Sequence, residues 1–261
     1  MKKYTVCVVG LGNIGLAVAK YIKKQRTLLG YDISSKAIIR AQEHGINALT
    51  QLPNDDVYVV CVNTWFRDGK PDMSAIDDCC RKMSDKNSKA LVCFESTLSL
   101  GTARKMASKY HLNKVAVCPH RWWSVDETNH GVNQPRVLGA LNEESMDLAI
   151  EFYQSLNIPT TQTSSLEIAE LSKVVENTHY YLEIAYAEEL KRLTDHSGLN
   201  FDELKRVVNT KWNVKLLEPR DGIGGECLPK DIQYLKTSVS TELPLISGAI
   251  KADELFRNEL S

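Results

Sequence analysis

The chain has 261 residues, 43% of them hydrophobic and 25% charged. That is enough apolar material for one large domain or two ordinary ones, and it excludes intrinsic disorder and a disulfide-stapled miniprotein. With 32 basic and 33 acidic residues the formal net charge is −1, so no global charge draws the chain to nucleic acid or to an anionic membrane.

No run approaches the roughly 18 apolar residues that span a bilayer. The opening MKKYTVCVVGLGNIG has two lysines and an apolar stretch, but Asn13 and the glycines break it and no small-residue cleavage site follows, so it does not read as a leader. A cytoplasmic location is expected. The seven cysteines are odd in number and lack metal-type spacing, so no metal is expected. Cys7, Cys61 and Cys93 sit in VCVV, VVCV and LVCF and read as buried thiols. Cys227 stands apart.

Short apolar runs at 4–9, 27–32, 57–63, 91–95, 115–118 and 136–139 read as strands. Helical stretches at 15–26, 35–44, 73–84 and 101–109 separate them. Several strands are β-branched on both faces, as in a parallel sheet covered by helices on both sides. The alternation predicts an α/β fold: a Rossmann-type doubly wound parallel sheet over 1–142. After that the pattern turns helical. A helix is expected at 143–156, then Ser165 caps a long one at 166–197, with Ile168, Leu171, Val175, Leu182 and Ala185 at helical spacing. Further helices are expected at 201–209 and from Asp231, with the glycine-rich loop 221–226 between them. Residues 143–261 are thus expected to form an all-helical domain with one long spine helix.

VCVVGLGNIGLAVAK holds G-x-G-x-x-G as Gly10, Gly12 and Gly15, after a strand and opening a helix. Gly10 permits the tight turn, Gly12 lets a pyrophosphate approach the backbone, and Gly15 allows close helix–strand packing. Asn13 and Ile14 complete the loop, whose free N–H groups suit a phosphate. Asp32, 22 residues after Gly10, would accept from ribose hydroxyls and repel a 2′-phosphate, which favours NAD over NADP. Lys36 and the serines at 34 and 35 are the residues that would admit some NADP.

Three features remain. ECLPKD at 226–231 follows two glycines and places a cysteine beside a lysine and an aspartate; it suits an activated thiol or a buried cysteine in a turn. Glu170, Lys173 and Asn177 share one polar stripe of the long helix, either a site or a solvated face. PHRWW at 119–123 follows a strand end, where open α/β sheets bind ligands, although two tryptophans also suit a joint between domains.

Taken together, these segments resemble the UDP-glucose/GDP-mannose dehydrogenase family. VVGLGNIGLAVA with GYDIS is similar to its nucleotide-binding start, CVNTWFRDGKPDMS to its V-x-T-P…G-x-P-D-x-S stretch, and ESTLSLGT to its E-S-T-V-x-x-G-T. CPHRWW with PRVLGA resembles its P-E-R/F segment and the next strand, AELSKVVENT its A-E-x-x-K-x-x-E-N-T helix, and GIGGECLPKD its G-x-G-G-x-C-x-P-x-D loop. The resemblance implies two NAD-dependent oxidations of a primary alcohol to a carboxylate, through a thiohemiacetal and a thioester on the loop cysteine. By position, Cys227 would be that nucleophile. Lys173 would stabilise oxyanions, Asn177 would bond the same region, and Asp231 with Thr97 would hold the water of proton transfer and hydrolysis. Thr64, Glu95 and Lys230 would line the cofactor, and the long helix would form a homodimer.

Some positions depart from the family. His120 stands where a glutamate helps to hydrolyse the thioester. It could act as general base near neutral pH, or mark slower hydrolysis, another hydrolytic residue or a single oxidation. Trp122, Trp123 and Ser124 are unlike the common sugar contacts, and Tyr180 stands where arginine often follows E-N-T. The family normally continues into an α/β domain that binds the nucleotide of a nucleotide sugar. The length leads to the expectation of a smaller substrate, one bound differently, or one presented by a partner protein. Two other readings stay open: a two-electron hydroxyacid-type dehydrogenase using Lys173, and a non-catalytic NAD-binding regulatory protein.

Overall fold

The computed structural model describes residues 4–260. Its contacts divide it into two compact units, Met1–Lys173 and Val174–Ser261. In the first, β1 (Val6–Val9) leads into α1 (Asn13–Lys23), then β2 (Leu29–Tyr31), α2 (Ser35–Glu43), β3 (Asn47–Leu49) and β4 (Val57–Val60). The hairpin β5 (Trp65–Arg67) and β6 (Lys70–Asp72) precedes α3 (Ser74–Asn87), β7 (Leu91–Phe94), α4 (Thr102–Lys109) and β8 (Lys114–Val117). Next come β9 (Arg136–Ala140), α5 (Glu143–Ser155), β10 (Thr160–Gln162) and the first turns of α6 (Leu166–His196).

One sheet runs in the order β10-β9-β8-β7-β4-β1-β2-β3. Strand residues alternate between its faces. Val6, Val8, Val57, Val59, Leu91 and Cys93 pack under α1, α2 and α5, while Cys7, Val9, Tyr58, Val60, Val92 and Phe94 pack under α3 and α4. This two-sided burial is why the strands read as continuous apolar runs. The sheet is Rossmann-like and mainly parallel, with one departure from the expected pattern. β9 runs antiparallel to β8, and β10 pairs parallel to β9.

The two contact units meet between Lys173 and Val174. α5 belongs to the sheet unit because Phe152 and Tyr153 are wholly buried in its core, and the Tyr21 hydroxyl donates to the Leu156 carbonyl at 2.7 Å. Thr160–Gln162 is then hydrogen-bonded onto β9. Glu170, expected on a polar stripe, is 1% exposed and caps another helix: its carboxylate accepts from the N–H groups of Gly101 (2.6 Å) and Ala103 (2.7 Å) at the start of α4.

The second unit holds the remainder of α6, then α7 (Phe201–Val208), α8 (Cys227–Lys236) and α9 (Pro244–Leu260). Tyr181, Ile184 and Ala185 of α6 pack with Ile223, Ile232 of α8 and Ile246 and Ala252 of α9. The long helix and its helical companions match the expected pattern, with α6 spanning 31 residues. No helix among the described residues is long and apolar enough to cross a membrane, and among them no cluster of ligands could hold a metal ion.

Candidate active site

The glycine loop behaves as its spacing predicts. Gly10 has φ of 89°, and a Cβ there would lie 2.9 Å from the Val62 backbone nitrogen. A Cβ on Gly15 would sit 1.8 Å from the Gly10 carbonyl oxygen, so only hydrogen fits where α1 crosses the turn. Gly12 differs, since a Cβ on it would meet no protein atom within 4 Å. That leaves open the room that a closely approaching pyrophosphate would need. Asp32 secures the loop: Oδ2 accepts from the Leu11 N–H at 2.6 Å and Oδ1 from the Ser34 N–H at 2.7 Å. Each carboxylate oxygen has a second lone pair left for a ribose hydroxyl. Asn13 begins α1, and Arg40 donates to both its side chain and the Leu11 carbonyl. Ile14 is partly exposed beside it.

A cavity of about 300 Å³ opens here, lined by Gly10, Gly12, Asp32, Val62, Asn63 and Trp65 among others. It fits a dinucleotide half, with the α1 N-terminus offering partial positive charge. Gly12→Ala should therefore leave the thermal midpoint unchanged and weaken NAD binding at least about tenfold, while Gly15→Ala should also destabilise the fold by roughly 1–3 kcal/mol through overpacking. Calorimetric titration and thermal melts of both variants separate the two glycine roles.

Thr64 lies between two cavity residues, and its hydroxyl donates to the Thr97 carbonyl at 2.8 Å. Thr97 is half-buried, three residues beyond the end of β7. Glu95 is 3% exposed, pairs with Arg136 at 2.7 Å and accepts from the Tyr153 hydroxyl at 3.1 Å. His120 belongs to the same buried group, with Nε2 at 3.7 Å from Glu95 and 3.3 Å from Arg136. Its Nδ1 accepts the Trp122 N–H at 2.8 Å. Burial, then Arg136 and Lys173, hold its pKa well below the usual histidine value. The imidazole is thus held neutral, with its Nδ1 occupied. Arg136 and Tyr153 were missed in sequence, although an arginine inside the apolar run of a strand was itself a signal for a buried acid. Lys173 is half-buried at the end of this unit, and His120 feels its charge.

In the second unit, Cys227 is exposed while the other six cysteines are buried. α8 begins at Cys227 rather than at Asp231, because Pro229 is tolerated in a first turn whose N–H groups have no helical partner. That start puts the thiol at the positive end of the helix, where an anionic sulfur is favoured. Asp231, one turn on and on the same face, is wholly buried and accepts from the Asn177 amide at 2.5 Å. Lys230 lies 3.4 Å from Asp231 and over the Tyr234 ring at 5.0 Å, in the unit that does not hold the glycine cavity.

A doubly wound unit with a glycine-loop cavity, joined to a helical unit with an exposed helix-start cysteine, defines a nicotinamide-dependent dehydrogenase. Two models of the UDP-glucose/GDP-mannose dehydrogenase family match: its NAD-binding domain over residues 46–157 and its central domain over 167–254. The chain belongs to this family; it is an NAD-dependent dehydrogenase, and NAD is its cofactor. It is 28% identical to the UDP-N-acetyl-D-mannosamine dehydrogenase of Pyrococcus horikoshii, an alignment that covers 95% of this chain and 68% of that protein. The Methanococcus maripaludis enzyme of the same name is also 28% identical, over 88% of this chain and 60% of that one. The solved Pyrococcus structure superposes with a TM-score of 0.88, covering 97% of this chain and 68% of that one. A 3-hydroxyisobutyrate dehydrogenase from Mycobacterium tuberculosis shares the fold, with a TM-score of 0.73 at 16% identity, over 99% of this chain and 95% of that one.

Proposed function

We propose that this protein oxidises a primary alcohol through the aldehyde to a carboxylate, with Cys227 as covalent nucleophile. The observation that carries the reading is the contrast between one exposed cysteine at a helix start and six buried ones. NAD, when bound, supplies the two-electron acceptor for each oxidation, held by Gly10, Gly12, Asn13, Ile14, Gly15 and Asp32, with Thr64 beside it. The Cys227 thiolate adds to the aldehyde carbon, and the α8 N-terminus favours the negative charge on sulfur before the addition. Asp231, aligned by Asn177, is placed to hold a water or take a proton one helical turn from the sulfur. The family resemblance gives Lys173 the role of a cation for oxyanions and Thr97 a share in holding the hydrolytic water. Neutral, buried His120 positions Glu95 and Arg136 rather than exchanging protons with substrate.

The relatives' names make UDP-N-acetyl-D-mannosamine the first substrate to test, with small hydroxymethyl compounds, free or presented by a partner protein, as the alternative. Two NADH per substrate consumed supports the four-electron reading. One NADH supports the two-electron hydroxyacid type, and no turnover of any alcohol or aldehyde supports a regulatory NAD-binding protein.

We also propose a homodimer through α6. Val175, Tyr186 and Leu193 are 45%, 59% and 54% exposed, and their spacings of 11 and 7 residues keep them on one helix face. Leu193→Asp should give a folded monomer in light scattering. A wild-type protein already monomeric at assay concentration would exclude this interface.

A further inference from the structure

The second unit contains a buried acidic pair that the proposed chemistry does not use. Glu188 of α6 is wholly buried, and neither of its carboxyl oxygens makes a hydrogen bond of ordinary geometry. Its charged neighbours are Asp253 and Arg257 of α9, and the Arg220 backbone also faces it. Asp253, 4% exposed, accepts from the Tyr181 hydroxyl at 2.9 Å and from the Ile223 N–H at 2.8 Å, while the Arg257 guanidinium holds it at 3.0 Å. Arg257 also donates to the Ile223 carbonyl. Its side chain fills the space a Cβ would need at Gly222, which has φ of 84°. Both peptide groups that define Ile223 are therefore gripped from α9, four residues before Cys227.

We propose that Glu188, Asp253 and Arg257 are positioning residues for Cys227: they clamp the 221–226 loop at Ile223, and a proton held by the two carboxyls keeps the clamp closed. This deepens the reading of Cys227 as nucleophile and rests on it for its bearing on catalysis. With one proton on the pair, a single negative charge faces the single positive charge of Arg257. Without it, two buried carboxylates share one cation, and their repulsion opposes the grip on the Ile223 N–H. Burial and then the Asp253 charge push Glu188 up to about 7, against the Arg220 peptide and Arg257. Tyr181 faces the same acids, and it too is pushed up by burial and by Asp253. The sign follows: an acid raised in the folded state favours the protonated fold, so the clamp weakens as pH rises through about 7.

The test is amide hydrogen exchange of residues 222–227 in the full chain, corrected for intrinsic base catalysis. In the wild type, protection should fall about tenfold between pH 6 and 8, the equivalent of one pKa unit of coupling. Glu188→Gln, whose amide can donate to Asp253 at any pH, should remove that fall, and the alkaline limb of kcat should move with it. Arg257→Lys should lower protection at both pH values and reduce kcat while leaving KM for NAD unchanged. Protection that stays flat with pH in the wild type, or a fall that persists in Glu188→Gln, would overturn the proposal. If Glu188→Gln does not fold, the wild-type profile and Arg257→Lys still decide it. Exchange does not depend on turnover, so Cys227→Ser with full activity would sink the nucleophile while leaving the clamp to stand or fall on protection alone.

Discussion

Cys227→Ser should lower carboxylate formation about a thousandfold or more, the scale on which a lost nucleophile is felt, and cap NADH at one per substrate. The serine hydroxyl is not ionised near neutral pH and adds poorly to an aldehyde, so the second oxidation loses its covalent adduct. The first oxidation needs no sulfur, so aldehyde should build up and be trapped by hydroxylamine. No other cysteine can take over. Cys61 and Cys93 lie in the sheet core, and burial holds both thiols well above the usual range; Cys118 is likewise buried and pushed up to about 12. Carboxylate production unchanged in the variant would reject the covalent mechanism. A two-electron enzyme would instead tolerate Cys227→Ser and fail in Lys173→Ala.

Much of this was legible in sequence because the relevant forces are local. The glycine turn, the two-faced apolar strands and the helix-long periodicity of α6 each follow from neighbours a few residues apart. The hairpin β5–β6 is also written locally, in an Asp-Gly pair, Asp68 and Gly69, at φ of 50° and 72°. The antiparallel turn of β9 and the addition of β10 were not legible, since they depend on which sheet edge the chain meets after the 118–135 segment. The site divides in the same way. Cys227 stood out by its glycine-rich approach, whereas the partners of Glu95 lie 41 and 58 residues away at Arg136 and Tyr153. Pairing over such distances carries no local periodicity. The burial of Glu170 has a related reason: helical spacing fixes which residues share a stripe, and tertiary packing decides whether that stripe meets water or the bare N–H groups of another helix.

Arg136→Met should cost the first unit about 3–5 kcal/mol, because it leaves the Glu95 carboxylate buried without its cation. The pair is only 1% and 2% exposed at the side chains, so solvent screening does not soften the loss. For a unit of this size the thermal midpoint should fall by roughly 10 °C. Glu95→Gln alone should be costly too, stranding the guanidinium. The double variant should recover most of either loss, since the neutral glutamine still accepts from the Tyr153 hydroxyl and no buried charge remains. Losses that simply add in the double variant would mean the pair is not coupled. His120 supplies a second readout. Burial, Arg136 and Lys173 together keep it neutral, so removing Arg136 beside a surviving Glu95 should raise its pKa, visible as an imidazole shift in NMR titration. A histidine pKa raised in the folded state adds stability below its unfolded value and loses it as pH climbs through the folded one. The defect of Arg136→Met should accordingly shrink at pH 5.5 and grow toward pH 8, as the imidazolium that replaces the guanidinium gives up its proton.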